Sequence, residues 1–402
     1  MHTVNCNDMA KSQAPSITEV SHPLATILLA HERNPEANYF YGGTRLINPS
    51  SSDASVKSAL LRLMSDESGT KNRLIDWSLK SGSFAELQAE LPPGFLESRV
   101  GGARCLIRPR TREIEASLTD PQNPHNRIAV ASILERIGEV LNEQKGLIKL
   151  TPDFGRYADL ADVLYQYTPN VLGIACSKGG CGGKSSYATT GVVAAMEKVA
   201  AKRLDHEPVT CIGSAGAMGS GIVQYLLGRG IRNVAVCDLA YDEPDGTQPP
   251  TEYMHLKSVP GSFSGECLSR GGVIVSTTVG DELEGSPWQQ IPKGTMLFLA
   301  HNLALPRGES GIQLAKALDD QGVLAIPGQV LTLGGALTAR LEWHWRRLPA
   351  NPAFKKDLAH RVVRCVVRHI LGAMFDVVES SATTPYQAMF HLVNEDQRLN
   401  VL

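Results

Sequence analysis

The chain has 402 residues, 43% hydrophobic and 20% charged, with a formal net charge of -2. That length exceeds one ordinary core and predicts two domains, and the composition excludes a disordered chain. The balanced charge speaks against a nucleic-acid partner held by phosphate neutralisation, so the short runs Arg108-Pro109-Arg110-Thr111-Arg112 and Arg346-Arg347 read as solvated faces.

The first residues, MHTVNCNDMAKSQAPS, hold no apolar run of signal-peptide type. No stretch approaches the ~20 apolar residues of a membrane span. A cytoplasmic protein without a membrane partner is expected, with most of the eight cysteines as free thiols acting as small hydrophobes. Cys176 and Cys181 lie in CSKGGCGGK, but a zinc site needs two further ligands at suitable spacing and none follows. A glycine-rich connection is expected there, and no metal.

Along the chain, HPLATILLAH, a turn at Asn34-Pro35 and YFYGGTRLI read as a strand hairpin. DASVKSALLRLM (53–64) has helical spacing with Asp53 as N-cap. The charged, Pro-Pro-interrupted stretch 78–98 reads as an insertion or lid rather than core. GGARCLIR (101–108) reads as a glycine turn into a short strand, 127–145 as an amphipathic helix, KGLIKLTPDFG as a strand with a polar turn, and DLADVLYQY as a helix. Beyond a glycine-rich connection, GVVAAMEKVAAKRL is helical. Strands are expected at Val209–Ile212, Asn233–Cys237, Gly272–Val275, Met296–Ala300 and Val323–Ile326. Strands alternating with helices predict a doubly wound α/β sheet. Leu358–Val378 carries an apolar stripe through Val362, Val363, Val366, Val367, Ile370, Leu371, Met374, Phe375 and Val378, expected to bury against another domain or subunit.

The segment from Val209 to Ile222 runs from strand into helix through Gly213-Ser214-Ala215-Gly216-Ala217-Met218-Gly219. A turn that admits a pyrophosphate excludes side chains, and the helix N-terminus that follows offers free N–H groups. Read as GxGxxG, Ser214 holds the first glycine position, Gly216 the second and Gly219 the third, with Gly213 one residue early. The next strand ends at Asp238, about twenty residues on, where a carboxylate accepts from ribose hydroxyls. Leu239 and Ala240 follow, with no Arg or Lys for a 2′-phosphate, so NAD is expected over NADP.

YGGTR (41–45), LLRLM…GTK (60–71), GGARCLI (101–107), LTPDFG (150–155), TPNVLGIACSKGGCGGKSSYATTGV (168–192), the glycine turn (211–221), LAHNLAL (299–305) and LTLGGALT (331–338) occur in one order. From about residue 25 onward the chain resembles the Glu/Leu/Phe/Val dehydrogenase family, in its leucine/phenylalanine/tryptophan branch. The resemblance implies an N-terminal α/β domain that binds the amino acid, a Rossmann-type domain that binds NAD, and C-terminal helices that return to the N-terminal domain. The corresponding division is 1–190 plus 346–402, and 191–345. It implies reversible oxidative deamination, with hydride passing from Cα to the nicotinamide and water attacking the iminium. One lysine holds the carboxylate, a second polarises water and carbonyl, and an aspartate moves protons.

Carried over by position, Lys71 takes the carboxylate lysine's place and Asp153 the aspartate's. Gly42 and Gly43 line the substrate pocket, Asn302 lies near the carboxylate and nicotinamide, and Thr277 and Thr278 face the cofactor. Tyr41 stands where an aliphatic residue is usual, and Thr332 replaces an asparagine, which argues against a plain leucine-sized substrate. The second lysine's place is taken by Arg104. Arginine stays protonated where a lysine can be desolvated to titrate near neutrality, so Arg104 suits an electrostatic anchor better than a base. Other readings stand beside these. Asp153 caps the following helix, Arg104 pairs a buried carboxylate, Lys71 is an exposed helix-end lysine, Lys178 or Lys184 replaces the missing lysine, and His301 packs rather than acts as an acid. The expectation is an NAD-dependent oxidoreductase acting at the C–N bond of an amino acid, imine or 2-oxo acid, with a specialised biosynthetic substrate, assembled as a homodimer or higher homo-oligomer. The rival expectation is a non-catalytic NAD-binding sensor or scaffold.

Overall fold

A computed structural model describes residues 14–393 apart from 83, 155–158, 245, 279, 281, 282, 307, 350 and 351. The opening stretch 1–13 and Gly155 of LTPDFG lie outside the described residues. The chain is α/β and divides into two compact units, residues 1–69 with 99–171, and residues 70–98 with 172–402.

The first unit is built on five strands, β1 (Ser16–Ser21), β2 (Ala25–His31), β3 (Tyr39–Leu46), β4 (Val100–Pro109) and β5 (Ile148–Pro152), in the order β1-β2-β4-β3-β5. The expected hairpin of β2 with β3 does not form. β4 lies between them, antiparallel to β2 and parallel to β3. β4 is ten residues long and buried on both faces, which suits a central strand. Its glycines lie inside the strand and are not a turn before it. The helix Asp53–Arg62 is capped by Ser52, whose side chain accepts from the Ser55 N–H; Asp53 is the first helical residue. A π-helical turn, Leu63–Gly69, follows. The amphipathic helix Arg127–Glu143 forms as expected and buries Val130, Ile133, Leu134, Ile137 and Leu141.

The second unit holds six parallel strands, β6 (Val209–Ile212), β7 (Val234–Cys237), β8 (Met254–His255), β9 (Val273–Ser276), β10 (Met296–Leu299) and β11 (Leu324–Ile326). Their order is β11-β10-β9-β6-β7-β8. Numbered from β6, this is the 3-2-1-4-5-6 order of a doubly wound Rossmann sheet, with β6 beside the point where the order reverses. The unit's core takes in Leu74, Ile75, Leu79, Phe84, Leu87 and Phe95. The stretch 78–98 is therefore core and not a lid. Its large apolar residues are spaced without a period, yet Leu79, Phe84, Leu87 and Phe95 are buried and Leu91 and Leu96 half-buried.

The 26-residue helix Lys356–Ser381 packs on Ser185–Val199, Gly334–Trp345, Thr70–Ser81 and Pro385–Leu392. Val362, Val363, Val366, Val367, Ile370, Leu371 and Met374 are buried there against partners within the same unit, while Phe375 and Val378 of the same stripe are half-buried. The C-terminal helices do return to a segment from the N-terminal half, Thr70–Ser81. The compact units accordingly fall at other boundaries than the division at 190/191 and 345/346. Cys211 and Cys237 are buried, whereas Cys365 sits on the exposed side of its helix. The connection through Cys176 and Cys181 turns at Gly179 (φ 82°) and Gly182 (φ 72°). Buried Glu342 accepts from the Gly173 N–H at 2.8 Å and the Cys181 N–H at 3.0 Å, which satisfies backbone donors of this loop. No described helix is long and apolar enough to cross a membrane.

Candidate functional site

In the Rossmann unit, Gly213 ends β6 at φ 78°, a left-handed conformation that favours glycine. It therefore supplies the tight turn, one residue before the position the fingerprint suggests. Ser214 fits the next position because its hydroxyl is turned inward and donates to the Cys237 carbonyl at 3.2 Å. The Gly213 N–H donates to the same carbonyl at 2.8 Å, tying the turn to β7. A methyl group at Gly219 would stand 2.2 Å from the Gly213 oxygen. That glycine lets the helix Ala217–Gly228 press against the turn. Gly216 is its N-cap and no side chain caps it. The Gly216 N–H donates to the Gly213 carbonyl at 3.3 Å, while exposed Ala217 and half-buried Met218 present first-turn N–H groups, uncapped by any side chain, at the C-terminal edge of the sheet.

Asp238 follows β7. Its carboxylate accepts from the Ala215 N–H at 2.9 Å and the Ala240 N–H at 3.0 Å. An ionised carboxylate has about four acceptor positions, so this leaves capacity for hydroxyl donors. Thr277, after β9, donates to the Gly213 carbonyl at 2.8 Å, while Thr278 pairs with the Ser276 hydroxyl at 2.9 Å. Thr277 thereby braces the turn.

The same unit brings together Lys71, Asn302 and Thr332, far apart in sequence. Lys71 is buried, not an exposed helix-end residue, and its ammonium donates to Asn302 Oδ1. An ammonium only donates, so this contact fixes which way the amide points. The Thr332 hydroxyl lies 3.0 Å from Asn302 Oδ1 and 2.7 Å from the Gly328 carbonyl; with one proton it serves one acceptor at a time. His301 is buried with its ring edge-on to Phe263. The Lys184 side chain runs beside Gly335, and Lys178 is exposed in its short helical turn.

The first unit holds the other cluster. Asp153 follows β5 and is exposed. The N-cap of the next helix is Asp159, so Asp153 does not cap it. A methyl group at Gly43 would stand 2.4 Å from Asp153 Oδ2 and 3.2 Å from Arg104 Nη1. The missing side chain of Gly43 is what lets these two groups converge. A methyl at Gly42 would meet the Ala103 carbonyl at 1.6 Å, so that glycine serves the close approach of β3 to β4. Tyr41 is buried with its hydroxyl 2.9 Å from the Thr151 hydroxyl, a polar pair where an aliphatic side chain would leave none.

Arg104 is almost fully buried, and its Nη1 pairs with Glu67 Oε1 at 3.3 Å. The buried-carboxylate reading of Arg104 is thus realised, together with its approach to Asp153. Glu67 escaped sequence reasoning. The one signal was a run of polar residues, Ser65-Asp66-Glu67-Ser68, inside an otherwise helical apolar pattern.

No protein-family model matches the chain, and no curated protein matches it. Among solved structures it is similar to L-tryptophan dehydrogenase from Nostoc punctiforme, at 17% identity over 94% of each chain with a TM-score of 0.60. It is also similar to the leucine-bound hetero-hexameric glutamate dehydrogenase from Thermus thermophilus, at 16% identity over 94% of this chain and 87% of that one, TM-score 0.67. A third likeness is to glutamate dehydrogenase from Peptoniphilus asaccharolyticus, at 13% identity over 94% and 88%, TM-score 0.58. At these identities the likeness establishes the fold: the chain has the two-domain α/β architecture of these amino-acid dehydrogenases.

Proposed function

We propose that the chain is an NAD-dependent oxidoreductase acting at the C–N bond of an amino acid or imine. The observation that carries this reading is the glycine turn at the switch point of a 3-2-1-4-5-6 parallel sheet, with Asp238 at the end of the neighbouring strand. The turn fits a dinucleotide: methyl groups at 213 and 219 would fill it, and uncapped N–H groups open onto it. The residues that would hold the cofactor are Gly213, Ser214, Gly216, Ala217, Met218 and Asp238, with Thr277, Thr278 and Asn302 beside the nicotinamide end. A carboxylate at 238 favours ribose hydroxyls and repels a 2′-phosphate, hence NAD over NADP.

The bound cofactor would supply the hydride acceptor, as NAD, for oxidation of an amine, or the hydride donor, as NADH, for reduction of an imine. Asp153 takes or returns the proton of the reacting nitrogen or of water. Arg104 stays cationic and stabilises the carboxylate or developing oxyanion of the substrate. Lys71, held by Asn302, whose amide oxygen the Thr332 hydroxyl also meets, is a second anchor for a carboxylate. Gly42, Gly43 and Tyr41 shape the substrate side of the first unit, and the Tyr41 and Thr151 hydroxyls favour a polar substrate over a bare aliphatic one. With no titrating lysine at position 104, hydrolytic deamination of ordinary amino acids is slow. Reduction of an imine, or a specialised biosynthetic amino acid, suits the site better. Self-association into a homodimer or larger homo-oligomer belongs to the same reading, supported by the outer edge strand β1, which among the described residues pairs only with β2.

The test is an NADH-absorbance screen over amino acids, 2-oxo acids with ammonium, and cyclic imines. Turnover of one of them supports the reading. Tight NADH binding with no turnover on any of them favours instead a non-catalytic NAD-binding protein, which the neutralisation of Arg104 by Glu67 would explain.

A further inference from the structure

Leu63–Gly69 is a π-helical turn in which Asp66, Glu67 and Ser68 are all buried. Three consecutive side chains of an α-helix spread over more than half its circumference and cannot share one buried face. The π geometry changes that spacing, a device frequent at functional sites. The turn lies directly on β4 because Gly102 has no side chain: a methyl there would strike the Met64 carbonyl at 2.5 Å and the Gly69 nitrogen at 2.7 Å. This close seat brings Glu67 to Arg104.

The Glu67 carboxylate gives one oxygen to each of two arginines. Oε1 pairs with Arg104 Nη1 at 3.3 Å and Oε2 with Arg45 Nη2 at 3.4 Å. The two arginines differ in setting, for the Arg104 side chain is 3% exposed and that of Arg45 is 42% exposed. Arg104 Nε is buried without a hydrogen-bond partner among the described residues. Glu67 is thus the tether, among the described residues, of a guanidinium whose Nη1 also faces Gly43, next to the Asp153 carboxylate.

We propose that Glu67 is a positioning residue: it holds the Arg104 guanidinium against Gly43 and Asp153, so that Arg104 acts as a fixed cationic anchor for an anionic substrate group. This rests on the reading that Arg104 meets the substrate. Without the tether, a long side chain with several rotatable bonds would no longer present its charge at one point, and small misplacements of an anchor lower rates steeply. Arg45, half in solvent, is the partner whose loss matters little.

The test compares full-length wild type with Glu67→Gln, Glu67→Asp and Arg45→Gln. The first readout needs no substrate: phenylglyoxal modification of Arg104, followed by peptide mass spectrometry. Arg104 should react slowly in wild type and Arg45→Gln, severalfold faster in Glu67→Gln, and at an intermediate rate in Glu67→Asp. The second readout is NADH-linked turnover of whichever substrate the wild type accepts. There kcat/KM should fall by about a hundredfold in Glu67→Gln and recover in part in Glu67→Asp, with the KM for NAD unchanged. Where Glu67→Gln yields no folded protein, Glu67→Asp carries the comparison, since it keeps the charge and shortens the reach. Unchanged labelling of Arg104 overturns the proposal. So does activity that merely follows the amount of folded protein, with Glu67→Asp no better than Glu67→Gln. Faster labelling in a protein whose wild type turns over nothing upholds the tether and overturns the oxidoreductase reading instead.

Discussion

Gly219→Ala tests the dinucleotide turn. A methyl at 219 would stand 2.2 Å from the Gly213 carbonyl oxygen and 2.8 Å from Ser214 Cα, both backbone atoms. Neither can swing aside as a side chain does. Ordinary contact then requires the helix Ala217–Gly228 to retreat from β6 by about 1 Å. Hydrogen bonds from its first-turn N–H groups to a phosphate, ~2.9 Å when formed, stretch past useful length. Each such bond to a charged group contributes about 1.5–3 kcal/mol, so losing one weakens NADH binding by about tenfold to a hundredfold. The fold should survive with a loss of about 1–3 kcal/mol, as for other overpacked sites. The assay is a fluorescence titration with NADH, beside thermal denaturation followed by circular dichroism. A folded Gly219→Ala protein that binds NADH as the wild type does would refute the reasoning.

Gly43→Ala puts a methyl 2.4 Å from Asp153 Oδ2. Because Asp153 is exposed it can rotate away, so stability should hold within about 1 kcal/mol while turnover falls by about a hundredfold; unchanged turnover argues against a role for the Asp153–Arg104 convergence. Arg104→Lys alone should restore little deamination of leucine or phenylalanine, because Glu67 would keep the new ammonium protonated. The double change Arg104→Lys with Glu67→Gln should raise it, and a double variant no faster than wild type would count against the base argument. His344 tests a separate coupling. Burial holds it neutral and pushes its pKa down to about 4; burial also lowers His360 and His369. Between pH ~6.5 and ~4 the unfolded chain takes up a proton that folded His344 refuses, so stability falls as pH drops through that window. Urea denaturation at pH 7.5 and pH 5 should show a steeper loss in wild type than in His344→Gln, and equal slopes would dismiss His344 as the cause.

Much of the Rossmann unit could be read in advance. β6, β7, β9, β10 and β11 fall within a residue or so of their expected positions, because a buried parallel strand is a short apolar run bounded by turn residues. The fingerprint's irregularity was also legible, though not its remedy. Only the structure shows Gly213 supplying the left-handed turn and the Ser214 hydroxyl satisfied on the Cys237 carbonyl. The first unit is less legible in the sequence. The 21–47 segment has a hairpin's pattern because local pattern reports strands and turns, not which strand is inserted between them. The stretch 78–98 resembles a lid in sequence because its scattered apolar residues, interrupted by charges and Pro92-Pro93, form no periodic signal, though Phe84, Leu87 and Phe95 all reach the core.

From sequence alone came the α/β class, the glycine turn with its distant aspartate, and the arginine at 104 where the family resemblance implies a lysine, for these depend on residue types and short spacings. Tertiary structure decided the rest: that Gly43 is the bare point where Arg104 and Asp153 meet, that Lys71 is bound to Asn302, and that a π-helical turn brings Glu67 to Arg104. These contacts join residues 37 to 231 positions apart. No local pattern encodes such pairings, because what selects them is the close approach of backbones at residues without side chains and the cost of burying a charge unpaired.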